Sequence, residues 1–222
     1  MHFIDVHSHQ YLTAANANTV LNIYENFAAL NDENYFTAGL HPWHIKDETA
    51  SGEFEKLKVA ATKNNVIAIG ECGLDKVCAT DFSLQQAYFR QQIELAKNVK
   101  KPLIIHCVRA YDEVLSTIKS AAFDLPVIFH GFNKSKQLAQ QLLDEGYYLS
   151  FGKHILENRI TEIVEMIPIE RLFLETDNSS VPIDVIYRAA AESKKISVEF
   201  LCEQIADNFR RVFRVPIFTA DE

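Results

Sequence analysis

Four imidazoles and two carboxylates, His7, His9, His106, His130, Glu71 and Asp177, stand where their types and spacing can do chemistry. That inventory suits two divalent cations. Neutral imidazole is the commonest metal ligand, and a carboxylate such as Glu71 has two oxygens with which to touch both ions. His7 and His9 lie two apart in Phe3-Ile4-Asp5-Val6-His7-Ser8-His9, so on a strand they share a face and converge. One His-x-His arises readily by chance; ligand-type residues at the ends of strand after strand do not. Val66-Ile67-Ala68-Ile69 runs into Gly70-Glu71-Cys72-Gly73-Leu74-Asp75, and Ile104-Ile105 ends in His106. Val127-Ile128-Phe129 ends in His130, and Leu172-Phe173-Leu174 leads into Glu175-Thr176-Asp177.

Other polar residues near these ends have two readings each. His41, in Gly39-Leu40-His41-Pro42-Trp43-His44, either faces a substrate or packs a turn. Asp5 either orients a ligand histidine or bonds to backbone, and Glu175 is read as supporting a ligand rather than ligating. Lys76 and Lys134 either contact a phosphate or are solvated surface residues. His2, His44 and His154 lack a strand-end setting and are read as surface residues.

The elements that must position this set are short apolar strands with amphipathic segments between them. Strands are expected near 3–7, 19–25, 35–40, 66–70, 102–106, 126–130, 146–151 and 171–176. Continuous apolar runs such as 66–69 and 103–105 suit parallel strands buried on both faces. Ser83 with Gln86 reads as a capping box ahead of Phe89, Ile93 and Ala96. Val114, Leu115 and Ile118 continue the pattern, then Leu138, Leu142 and Leu143 with Gly146 as a stop. Ile160, Ile163, Val164 and Ile167 precede Pro168, and Ser197 caps a last helix carrying Leu201, Ile205, Phe209 and Val212.

Eight strands with interleaved helices predict a (βα)8 TIM-type barrel, α/β in class, in which strand ends meet on one rim. The gaps 8–18 and 26–34 are short for helical crossovers, so the barrel is expected to be compact and distorted, its first two connections loops or single turns. No internal repeat or Pro/Gly-rich linker interrupts the chain, which is read as one domain over residues 1–222.

Composition narrows the function classes. A net charge of −8 argues against a broad electrostatic grip on nucleic acid and weighs less against turnover. No stretch reaches the roughly 18–20 apolar residues of a membrane span, and no secretory leader is read at the start. Cys72, Cys78, Cys107 and Cys202 show no C-x-x-C spacing and fit reduced thiols. A cytoplasmic, monomeric protein with no membrane association is the expectation.

Taken in order, His7-Ser8-His9, Gly39-Leu40-His41-Pro42, Gly70-Glu71-Cys72-Gly73-Leu74-Asp75, Ile105-His106, His130-Gly131-Phe132 and Leu174-Glu175-Thr176-Asp177 resemble the motifs of the TatD family of metal-dependent hydrolases. The ending around Asn208-Phe209 is similar too. The resemblance implies an amidohydrolase-like barrel, two divalent cations and, for characterised members, metal-dependent DNase activity on DNA ends. Carried over residue by residue, it implies His7, His9 and Asp177 on one metal, His106 and His130 on the other, and Glu71 bridging. The chain departs from the family pattern at the rim. Cys107-Val108-Arg109 stands where Ser/Thr-Arg-Asp is usual, Lys76 replaces an aromatic, and the loop after Asp177 is cut to Asn178-Ser179-Ser180-Val181-Pro182. This is the pattern of a short, divergent branch.

The first functional reading is metal-assisted hydrolysis of a phosphodiester at a nucleic-acid end. In it Asp177 receives the proton of the attacking water, Glu71 serves both metals, and His41 and Lys76 contact the substrate. A second keeps the site and changes the substrate to a small amide, lactone or phosphoester. A third, a non-catalytic barrel binding a partner through its rim, leaves the ligand set unexplained. Mixed nitrogen and oxygen ligands suit Zn²⁺, Mn²⁺ or Fe²⁺, whereas Mg²⁺ prefers oxygen.

Overall fold

The computed structural model describes residues 2–10, 17–27, 30–31 and 33–217. Its strands are β1 (Phe3–Ser8), β2 (Ala17–Ile23), β3 (Tyr35–Ala38), β4 (Val66–Asp75), β5 (Leu103–Val108), β6 (Val127–Phe129), β7 (Tyr148–Phe151) and β8 (Leu172–Leu174). Helices α1 (Asp47–Ala61), α2 (Phe82–Val99), α3 (Tyr111–Ser120), α4 (Lys136–Asp144) and α5 (Asn158–Met166) each join successive strands from β3 onward. Helices α6 (Ile183–Lys194) and α7 (Val198–Phe213) follow β8. Parallel strands with this alternation place the chain in the (βα)8 barrel class. No helix separates β1, β2 and β3 among the described residues, and residues 11–16 of the first connection lie outside them. No described helix is long and apolar enough to cross a membrane.

The chain divides into two compact units, residues 1–21 with 128–222, and residues 22–127. In the first, β6, β7 and β8 form a parallel ladder through Phe129↔Leu149 and Phe151↔Leu174. Strand β1 pairs in parallel with the start of β2, Phe3 opposite Ala17. Beyond β8 the backbone meets β1: Asp177 N–H donates to His7 O at 2.9 Å, and His9 N–H to Asp177 O at 3.2 Å. Tyr187 of α6 locks β1 from behind, its hydroxyl donating to Ile4 O at 2.9 Å and accepting from Ile4 N–H at 3.1 Å. Helix α7 begins at Ser197, whose hydroxyl accepts from Phe200 N–H at 3.1 Å, as the sequence predicts. It buries Leu201, Ile205, Phe209 and Val212, each contributing about 2 kcal/mol of apolar burial. Buried Asn208 donates to Ile169 O and Leu172 O at 2.8 and 2.9 Å, tying α7 to the start of β8.

In the second unit, β3, β4 and β5 form a parallel ladder, and Gly39 N–H reaches Ile23 O of β2 at 3.2 Å. Every residue of β4 is buried. The strand is longer than the apolar run suggests: Gly73, Leu74 and Asp75 continue it, pairing with His106, Cys107 and Val108. Glycine makes that possible. At Gly73 φ is +144°, and a Cβ would fall 2.0 Å from His106 O. Helix α2 starts two residues earlier than the Ser83–Gln86 pattern implies, capped by Asp81, which accepts from Leu84 N–H at 3.0 Å. Its buried face carries Phe89, Ile93 and Ala96, but also two glutamines, Gln85 and Gln92.

Candidate metal centres

The first unit gathers His7, His9, His130 and Asp177. His7 ends β1 fully buried, and its ring lies 4.4 Å from that of His130, centroid to centroid, and 5.2 Å from that of His9. Asp177, just past β8, has φ +53° and is fixed by its backbone bonds to His7 and His9. Its Oδ1 lies 3.5 Å from His9 Nε2 and 3.9 Å from His7 Nε2, and its side chain is 38% exposed. One donor atom each from His7, His130 and Asp177 lie within 4.8 Å of one another, two nitrogens and an oxygen that fit a divalent transition metal.

Two carboxylates stand behind these residues. Fully buried Glu175 accepts from Gly131 N–H at 2.7 Å, and the same Oε1 lies 3.3 Å from His130 Nδ1. Burial acts to raise its pKa, but the bond and charge of His130, with His7 beyond, hold it below the usual carboxylate value. Glu175 therefore orients a histidine, as a carboxylate behind a metal ligand does. Asp5 turns away: it accepts from Thr176 N–H at 2.9 Å and Thr176 Oγ1–H at 2.6 Å. Its role is in the backbone around Asp177.

The second unit gathers His41, Glu71, His106 and Asp75, all buried. Glu71 Oε1 lies 2.7 Å from His106 Nδ1 and 3.0 Å from His41 Nε2; His106 Nε2 lies 3.1 Å from Asp75 Oδ2. Donor atoms of His41, Glu71 and His106 also fall within 4.8 Å of one another. Of these, His41 is the poorer ligand. Its Nδ1 accepts from Trp43 N–H at 3.1 Å, so in the neutral ring Nε2 carries the proton and donates to Glu71. His41 is thus held against Glu71. Lys76 pairs its ammonium with Glu113 of α3. His44 is exposed and stacks on Tyr24 at 4.4 Å, and half-buried His154 pairs with Glu157 at 2.5 Å.

Several residues that hold this second cluster carry no motif. Asn22, a polar residue inside the apolar run of β2, accepts from Glu71 N–H at 2.7 Å and from Thr37 Oγ1–H at 2.9 Å. Gln92 brackets Leu40, accepting from its N–H at 2.7 Å and donating to its carbonyl at 3.1 Å, next to His41. Gln85 does the same for Asp75, at 2.8 and 3.0 Å. Asp75 also accepts from Trp43 Nε1–H at 2.6 Å. Burial works to raise the Asp75 pKa, but the bonds from Trp43 and His106 lower it overall. A polar residue interrupting an apolar helix or strand face is the signal that could have found Asn22, Gln85 and Gln92.

Comparison with known proteins came out in one direction. The family model for TatD related DNase matches residues 4–214. An uncharacterized metal-dependent hydrolase of Buchnera aphidicola subsp. Baizongia pistaciae is 30% identical over 224 residues, covering 90% of this chain and 84% of that protein. The 3'-5' ssDNA/RNA exonuclease TatD of Klebsiella pneumoniae is 34% identical over 149 residues, 64% of this chain and 56% of that one. Among solved structures, the TatD homologue YJJV of Escherichia coli K12 superposes with a TM-score of 0.82 at 22% identity, over 96% of this chain and 98% of that chain.

Proposed function

The chain belongs to the TatD family of metal-dependent hydrolases, and from that premise we propose that it is a phosphodiesterase of nuclease type acting on the ends of single-stranded nucleic acid. The family match runs through both units, which supports reading residues 1–222 as one domain. The proposed ligands are His7, His9, Glu71, His106, His130 and Asp177, holding two divalent cations. The observation that carries this reading is that donor atoms of His7, His130 and Asp177 lie within 4.8 Å of one another in the first unit, while Glu71 and His106 lie 2.7 Å apart in the second. Relatives named as metal-dependent hydrolases, one as an exonuclease on single-stranded DNA and RNA, support the substrate class.

Divalent cations bound there would polarise a phosphoryl oxygen and lower the pKa of a water. The chain's own residues then divide the remaining work. Asp177, half-exposed and fixed by its backbone, accepts the proton of the attacking water at a carboxylate oxygen. Glu175 keeps the His130 ring in one orientation from its Nδ1 side. His41 donates to Glu71, holding one of its oxygens in place, while Asn22 fixes the Glu71 backbone.

The test is a substrate panel: single-stranded DNA and RNA, a generic phosphodiester, and simple amides and lactones, each with Mn²⁺, Zn²⁺ or Mg²⁺ added. Turnover of the single strands is the expected result. Val108, which stands where the family usually has arginine, favours a small neutral ester or amide instead, and turnover of those alone would select that reading.

A further inference from the structure

We propose that Trp43 is the platform on which a base of the substrate strand stacks, an inference that rests on the nucleic-acid reading above. Trp43 is 57% exposed, large for a tryptophan, and it follows His41-Pro42 directly. The exposure is built in. Its indole N–H is held at 2.6 Å by Asp75 Oδ2, a carboxylate only 2% exposed. The other Asp75 oxygen is occupied by the N–H groups of Val77 and Cys78, at 2.7 and 3.2 Å. The backbone N–H of Trp43 is bound to His41 Nδ1. The ring stands edge-on to His41 at 5.0 Å and to His106 at 5.7 Å, the two histidines that face Glu71. Its polar edge is therefore used inward while ring surface is left to solvent, beside the carboxylate proposed to hold metal. The neighbouring His44 is already stacked on Tyr24 and does not compete.

Physical chemistry says what such a fixed, exposed ring is for. Every base has a π face, so an aromatic side chain grips a single strand without regard to sequence. A chain of net charge −8 offers a strand little overall electrostatic attraction, and stacking supplies a grip that does not depend on charge. A rigid ring also loses little freedom on binding, which is where a mobile one would forfeit affinity.

Trp43 is the chain's one tryptophan, so its fluorescence reports on this ring alone. The purified protein is titrated with a phosphorothioate-linked oligothymidylate, which resists hydrolysis, and with an abasic strand of the same linkage and length. Quenching by the base-bearing strand and not by the abasic one is expected. No quenching, or equal quenching by both, overturns the proposal whatever the hydrolysis assays show. Two variants separate the ring from its Asp75 bond, since Trp43→Phe and Trp43→Leu both lose the N–H. On single-stranded DNA, Trp43→Leu is expected to raise KM about tenfold over Trp43→Phe with kcat alike, and on the abasic strand the two should match. Equal KM on DNA overturns stacking. Base-dependent quenching without hydrolysis of any nucleic acid would support the platform while sinking the nuclease reading.

Discussion

Asp5 and Thr176 are joined twice, the carboxylate accepting both the backbone N–H and the hydroxyl of the threonine, at 2.9 and 2.6 Å. Thr176 sits between Glu175 and Asp177, so this one pair sets the backbone that presents the carboxylate beside His130 on one side and a candidate ligand on the other. The price is a buried charge. Burial, the largest influence, pushes the Asp5 carboxyl up to about 7 despite the Thr176 bonds.

That value gives the pair a pH signature. Between an unfolded pKa near 4 and the folded value of about 7, the folded protein keeps a proton that the unfolded chain has released. Stability from Asp5 is therefore complete below about pH 4, falls as pH rises through 7, and is flat above it. Asp5→Asn removes this slope. Urea unfolding of chelator-treated wild type and variant from pH 4 to 8 should show the variant gaining on wild type by up to about 4 kcal/mol. A pH-independent difference would contradict the assignment.

Asp177→Asn separates chemistry from folding. The side chain is 38% exposed and the backbone bonds to His7 and His9 survive the change. Turnover is expected to fall by about 10²–10⁴-fold, with the thermal midpoint little moved. Near-normal turnover would remove Asp177 from the proton-accepting role.

Glu175→Gln keeps an oxygen for Gly131 N–H and removes the charge beside His130 Nδ1. Loss of a carboxylate behind a ligand histidine costs roughly 10–100-fold in metal affinity. Competition against a chelating indicator checks this, and unchanged affinity would mean that Glu175 serves the fold alone.

Gln92→Leu strips both polar groups of Leu40 of their side-chain partner inside a buried face. Each buried group left unsatisfied costs about 1–3 kcal/mol, so a loss of about 2–5 kcal/mol is expected from urea unfolding. Turnover should fall as well, because Leu40 leads into His41.

The strand positions were legible because long apolar runs with turn residues between them leave few other readings. The apolar runs 66–69 and 103–105 form buried parallel strands, as expected, and His106 lies within the second of them. The strands' true ends were not legible. Gly73 and Asp75 carry β4 past its apolar run because a glycine without Cβ lets the backbone pass His106 O, a tertiary constraint that leaves little local trace. The same holds for His41. In sequence it is a histidine before proline; only the Trp43 N–H on Nδ1 and Glu71 at Nε2 turn it inward. The pairing of Lys76 with Glu113 leaves no local trace either, because the two lie far apart along the chain. Gln85 and Gln92 differ from other helix glutamines in standing on a buried face, where they bond the backbone of Asp75 and Leu40.

The central claim, that these imidazole and carboxylate clusters hold the metal the hydrolysis needs, is tested most directly by one coupled measurement. Divalent metal content and the rate of single-stranded DNA cleavage are followed together in purified protein, during chelation and on adding metal back. Content and rate should fall together and recover together. Cleavage that persists at full rate in protein stripped of metal would contradict the account.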